Sequence, residues 1–301
     1  MFSRLALAIG ILGAAASVQV QAAGAAKYLP PLSDTVMADL AKLDPSQYET
    51  FHLQNASDAL TKRGPPNGLR GIQERCTTSH CYDFTFDDGP YNNMRNIVDH
   101  ATDNGIKVTF FVNVNNYDCI YNQQRVSDLR YAYGKGMQIC SHTATHPHLN
   151  DLTHAQIDHQ VQGVEDALWK ILGVVPACIR PPYGEANDDV VNYLNDRWGY
   201  VVINWNYDSG DSTGSTTAQS KAVLRTIKSP KHAIVLMHET VDTTPNNLFP
   251  AAIKIAQDNG YTAANHQTVP QSLGFNGYKV TGTRGSRDST WTCNGYTPGQ
   301  G

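Results

Sequence analysis

The chain is defined first by what it has little of. After the first residues it has no apolar run of membrane length, so the mature protein is expected to have no membrane span. It has no basic excess: the formal net charge is -4, which argues against nucleic acid as a partner. It has no Cys-x-x-Cys spacing, which weighs against a cysteine-rich zinc site. No internal repeat is evident, and neither end holds enough sequence for a separate binding module.

What is present begins with a leader. Arg4, an apolar stretch from Leu5 to Ala16 and the small-residue pattern Val20-Gln21-Ala22 have the layout of a secretory signal peptide over residues 1–22. The expected location is therefore secreted, extracellular or in a cell wall. All six cysteines (Cys76, Cys81, Cys119, Cys140, Cys178 and Cys293) follow the leader, and an even number in an oxidising compartment suggests up to three disulfides. Fifteen pairings are open. Asn55-Ala56-Ser57 is the one glycosylation sequon.

Residues 23–73 read as an N-terminal arm, with Pro30-Pro31, the turn-rich Gly64-Pro65-Pro66-Asn67-Gly68 and one weak helical patch over 35–43. From Cys81 onward, strand-like runs alternate with helical periodicity. Strands are expected at 82–86, 107–114, 137–141, 177–180, 200–205, 233–238 and 261–264, and helices at 92–104, 153–172, 188–198, 219–227 and 250–258. Seven strands alternating with helices imply an α/β fold with parallel pairing, either a barrel or an open doubly wound sheet. The main domain is placed at 74–275, and a tail at 276–301 is expected to pack on it through Cys293.

Polar strings fall at the carboxyl ends of these strands, where parallel α/β folds gather functional groups. Thr85-Phe86-Asp87-Asp88-Gly89-Pro90 carries two adjacent carboxylates that diverge at a strand end, though an Asx turn or helix cap explains them equally. His142 and His146 in Ser141-His142-Thr143-Ala144-Thr145-His146-Pro147 have the i, i+4 spacing of one helical turn, within reach of one ion. His148 lies outside that pattern. Arg180-Pro181-Pro182-Tyr183-Gly184 offers a guanidinium that can fix a nearby carboxylate. Trp205-Asn206-Tyr207-Asp208-Ser209-Gly210-Asp211 supplies an aromatic and two carboxylates, either of which could raise the pKa of a histidine such as His238. Taken together, the set reads as metal-assisted hydrolysis. Two histidines and a carboxylate also describe a non-haem iron oxygenase, but a separate base and acid argue against it.

With these strings in this order, the chain resembles the polysaccharide deacetylases of the NodB-homology type, carbohydrate esterase family 4, and within them secreted fungal chitin deacetylases. The resemblance covers 76–273. It implies a distorted parallel (β/α) barrel and metal-dependent removal of N-acetyl groups from chitin or chitin oligomers by a monomer. By the family pattern Asp87 is the general base, with Asp88, His142 and His146 holding one divalent metal, zinc first and cobalt second. Arg180 orients Asp87, the Tyr183 N–H assists the oxyanion, and His238 is the acid, tuned by Asp211. Leu236 shapes the acetyl pocket, and Tyr183, Trp205 and Trp291 are candidate sugar platforms. The family's fourth motif continues with Trp where this chain has Ser212, which leaves the choice between Asp208 and Asp211 open. Alternative substrates are acetylxylan and peptidoglycan, and a decayed, binding-only protein is the non-enzymatic alternative.

Overall fold

A computed structural model describes residues 32–40 and 64–298. The leader and the Asn55 sequon lie outside the described residues. The strands are β1 (Ile72–Gln73), β2 (Tyr82–Gly89), β3 (Val108–Val112), β4 (Gln138–Ser141), β5 (Val174–Pro176), β6 (Cys178–Ile179), β7 (Val201–Ile203), β8 (Tyr207–Asp208), β9 (Ala233–His238) and β10 (Tyr278–Thr281). Eight of them form one sheet in the order β1-β7-β6-β4-β3-β2-β9-β8, all parallel, with outer strands that do not pair with each other. The expected distorted parallel barrel is thus a curled, incompletely closed sheet.

Its interior layers follow from strand alternation. Phe84 and Phe86 of β2 point outward and pack with Phe249 of the helix Phe249–Asp258, ring centroids 5.2 and 4.9 Å away. Each such buried ring is worth about 1.5–3 kcal/mol relative to exposure. Thr85 and Asp87 point inward, above an apolar floor that includes Phe111, Val201, Ile203 and Ile234. Asp83, on the same face at the amino end of β2, is also buried and accepts from Ser272 Oγ, so the floor is apolar apart from this pair while the carboxyl end is lined by polar groups.

The long helix His154–Leu172 forms where Ile157, Val161, Val164 and Leu168 repeat on one face. Thr153 and Gln156 make a reciprocal capping box at its start. Gly173, at φ 77°, closes it in the left-handed conformation that only glycine adopts at no cost.

Three sequence expectations need correction. The run 261–264 is not a strand: Thr262 and Asn265 cap a short 3-10 turn, and Tyr261 packs its ring on Tyr82 at 4.9 Å. The count of seven strands becomes eight because β1 and β8, two residues each, are too short to show a period. The ribbon of β5 with antiparallel β10 and the helix Gln123–Gly134 were not expected. That helix buries Arg125 and Asp128, which blurs its apolar stripe.

The cysteines pair as Cys76–Cys81, Cys119–Cys293 and Cys140–Cys178. The second ties the tail to the loop after β3 across 174 residues, a closure worth on the order of 5 kcal/mol by chain entropy. Of the helical patch at 35–43, the described helix is Asp34–Leu40, docked through Val36 on Trp169, Val175 and Val280. Among the described residues no helix is long and apolar enough to cross a membrane.

Candidate active site

The carboxyl ends of β2, β4, β6, β8 and β9 converge on one pocket. In β2, Asp87 continues the strand in register with His238 of β9, while Asp88 takes φ 72° and swings its carboxylate away from its neighbour. Asp87 Oδ1 accepts from Arg180 Nη1 at 2.7 Å, and its Oδ2 lies 3.6 Å from His142 Nε2.

Arg180 is fully buried and spans four neighbours. Its Nη1 also donates to Thr85 Oγ1 at 2.9 Å, Nε to Ile203 O at 3.3 Å and Nη2 to Asn204 O at 3.1 Å, and the guanidinium lies over Phe111 at 4.0 Å. Burial pushes Asp87 above the usual carboxylate range, opposed by Arg180 and His238. A base with a raised pKa accepts a proton more readily near neutrality.

Asp88, His142 and His146 present one ligand atom each, all within 4.8 Å of one another. Asp88 Oδ1 is 3.6 Å from His142 Nε2 and 3.4 Å from His146 Nε2. The histidines do not sit on a helical turn as their spacing suggested. They lie in an irregular loop in which Thr143 (φ 70°) and His146 (φ 58°) are left-handed, which folds the second imidazole back on the first, ring centroids 4.9 Å apart.

The donor chemistry of this triad fits a cation. His142 Nδ1 is 2.8 Å from the Arg180 carbonyl, which can only accept, so the proton sits on Nδ1 and the Nε2 lone pair faces Asp88. Burial lowers both histidines to about 3, so both imidazoles are neutral. It raises Asp88 to about 6. The chain therefore holds a site that could bind a metal ion.

On the opposite wall, His238 Nδ1 meets Asp211 Oδ1 at 2.7 Å, and its backbone N–H donates to Asp211 Oδ2 at 2.8 Å. Thr244 Oγ1 donates to the same oxygen at 2.6 Å. Burial opposes the imidazolium, yet Asp211, with Asp87 and Asp88 beyond it, raises His238 to about 9. Asp211 is correspondingly held below its usual range despite burial. Asp208 is exposed and turned into its own loop, accepting from Gly210 N at 2.7 Å, so it does not meet His238. Ser212 Oγ stands 3.5 Å from the other imidazole nitrogen, Nε2, at the outer limit of a hydrogen bond.

Of the remaining candidates, Tyr183 is left-handed at φ 59° and partly exposed, its ring edge-on to His146 at 4.6 Å. Trp205 packs so closely on Gly184 that a Cβ there would lie 2.7 Å from the indole. Leu236 is buried in β9, two residues before His238. Trp291 is not at the site: it is buried in the tail against Tyr121, 5.8 Å between centroids. His148, set aside in the sequence, stacks on Tyr183 at 4.0 Å and meets Glu185 at 3.1 Å. Sequence reasoning missed Asn116, whose Nδ2 lies 3.4 Å from Asp88 Oδ1; its position just past β3, at the strand end, was the available signal.

A buried carboxylate held by an arginine, a triad that could hold a metal ion and a histidine bound to a second carboxylate are the groups that a metal-assisted hydrolase needs. The sequence matches the family described as "Polysaccharide deacetylase" over residues 74–203. It is 34% identical to a chitin deacetylase of Pestalotiopsis sp over 69% of both chains. It is 30% identical to the chitin deacetylase of Colletotrichum lindemuthianum, over 73% of this chain and 89% of the relative. The solved structure of the Colletotrichum lindemuthianum chitin deacetylase superposes with a TM-score of 0.66 at 28% identity, covering 69% of this chain and 95% of that one. A family 4 carbohydrate esterase from Streptomyces lividans, solved with acetate, superposes at 0.54 and 26% identity, over 62% and 92%. The chain belongs to the polysaccharide deacetylase family.

Proposed function

We propose that this protein hydrolyses the N-acetyl groups of chitin or chitin oligomers, releasing acetate. The observation that carries the reading is the pairing of Asp87 with Arg180 at 2.7 Å on one side of the ligand triad and of His238 with Asp211 at 2.7 Å on the other. A base and an acid are thus presented to one reacting carbon from two walls.

Asp88, His142 and His146 would hold a divalent ion, zinc first, whose chemistry is to polarise the amide carbonyl and acidify water. Asp87 takes the water's proton on Oδ2, since Oδ1 is engaged by Arg180. The Tyr183 N–H, turned by its left-handed backbone, stabilises the developing oxyanion. His238, protonated because Asp211 raises it to about 9, donates from Nε2 to the departing amine. Amines leave poorly without that proton. Leu236 bounds the acetyl methyl, and Trp205 supports the Tyr183 turn through Gly184.

Three disulfides support secretion. The test is acetate release from chitin oligomers before and after chelation, with zinc restored. Chelator-sensitive release recovered by zinc is expected. Absence of release with zinc present, alongside turnover of acetylxylan or peptidoglycan, would replace the substrate.

A further inference from the structure

Among the described residues, the exposed large apolar side chains are Tyr117 at 54%, Tyr183 at 39% and Val223 at 38%. Val223 lies on the helix Thr217–Arg225. The two tyrosines lie on the rim of the ligand triad. Tyr183 follows β6, Tyr117 follows β3, and the histidines follow β4, which lies between β6 and β3 in the sheet. The tyrosines therefore flank the metal ligands from opposite sides.

Tyr117 is exposed but not loose. Its ring rests against Tyr91, centroids 5.6 Å apart at 50°, and Tyr91 follows Asp88 by three positions with its N–H held by Glu239 Oε1 at 3.1 Å. The neighbouring Asn116 reaches Asp88 itself. Behind the loop, Asn115 Nδ2 donates to Tyr296 O at 2.6 Å, and Cys119 is bonded to Cys293 of the tail. The tail thus pins a solvent-facing aromatic beside the reaction centre. A preorganised tyrosine face of this kind suits a pyranose ring, whose C–H face stacks on the ring while its hydroxyls stay wet.

We propose that Tyr117, backed by Tyr91, is a sugar platform that stacks a pyranose ring of the substrate away from the reacting N-acetyl unit. This rests on the deacetylase reading for the identity of the sugar. The loop after β3 then sets the preference for chain length, and the tail sets the loop.

The test compares wild type with Tyr117→Ala and Tyr117→Phe on chitin oligomers from dimer to hexamer, reading KM and kcat for acetate release and, separately, Kd with metal-stripped protein. Tyr117→Ala is expected to raise KM and Kd for the hexamer by about tenfold, leave the dimer and kcat unchanged, and be rescued by Phe. Equal changes at every length, or none for the hexamer, overturn the platform. Binding that depends on length and on Tyr117 without any acetate release overturns the deacetylase reading and sustains the platform. A hexamer that fails to bind wild type overturns both.

Discussion

Among the described residues, an arginine and a lysine are each buried against a carboxylate at the same distance, one at the candidate active site and the other far from it. Arg180 and Asp87 meet at 2.7 Å with side chains 0% and 3% exposed, and Lys279 and Glu165 meet at 2.7 Å with 5% and 0%. Around Lys279 the remaining groups are satisfied. Glu165 also accepts from Tyr200 Oη at 2.9 Å and Ser33 N at 3.3 Å, and Lys279 donates to Trp198 O at 2.8 Å. That pair fastens β10 of the tail and the segment before the helix Asp34–Leu40 onto the long helix. Asp87, in contrast, keeps Oδ2 turned toward His142 and the triad. Burial and pairing alone therefore do not mark function. What marks it is a buried carboxylate left with an unused acceptor facing converging lone pairs.

The sharpest way to break this comparison is to neutralise each pair in turn. Asp87→Asn keeps the shape and a hydrogen bond to Arg180 but cannot take a proton. Acetate release of the folded protein should fall by about a thousandfold or more, with metal still bound in a direct titration. Undiminished turnover would remove Asp87 from its role. Lys279→Met leaves Glu165 buried and unpaired and should cost about 3 kcal/mol or more of stability, seen in denaturant unfolding, while kcat of the folded protein stays the same. Loss of turnover without loss of stability would erase the contrast.

A smaller effect separates the two walls of the site. In Asp211→Asn the raised pKa of His238 loses its main support, so the basic limb of the rate profile should move from about 9 toward the ordinary histidine value. At pH 8 the rate should then fall by about tenfold, while at pH 6 it changes less. A basic limb that stays in place would assign the acid role elsewhere.

The smallest effect is on stability. His238 has a folded pKa above its unfolded one, so its contribution is fully present below about 6.5 and is lost as pH rises through about 9. Thermal unfolding of wild type should lose its advantage over Asp211→Asn across that window.

Legibility followed the range of the interactions. The strands β2, β3, β4, β6, β7 and β9 each stood out as an apolar run, and the chemical groups stood at their ends, because burial on both faces writes itself into consecutive residues. The two-residue edges β1 and β8 had no room for a pattern, and the helix Gln123–Gly134 hid behind buried Arg125 and Asp128. The His142–His146 spacing suggested one ion, but by a helical turn that does not exist; left-handed residues bring the rings together instead. Trp291 and His148 traded places, the first in the tail's packing and the second against Tyr183, because an aromatic residue reads the same in sequence whether it covers a core or lines a rim.

By itself, then, the sequence determined the alternation of strand and helix, the parallel sheet, and which residue types stand at the strand ends. These depend on periodicity over a few residues. The tertiary structure alone decided that Asp211 rather than Asp208 meets His238, that Trp291 packs in the tail against Tyr121, and that Cys119 pairs with Cys293. Those outcomes depend on sheet order, on backbone reversals such as that at Asp88, and on contacts between residues far apart in the chain, which no local pattern encodes.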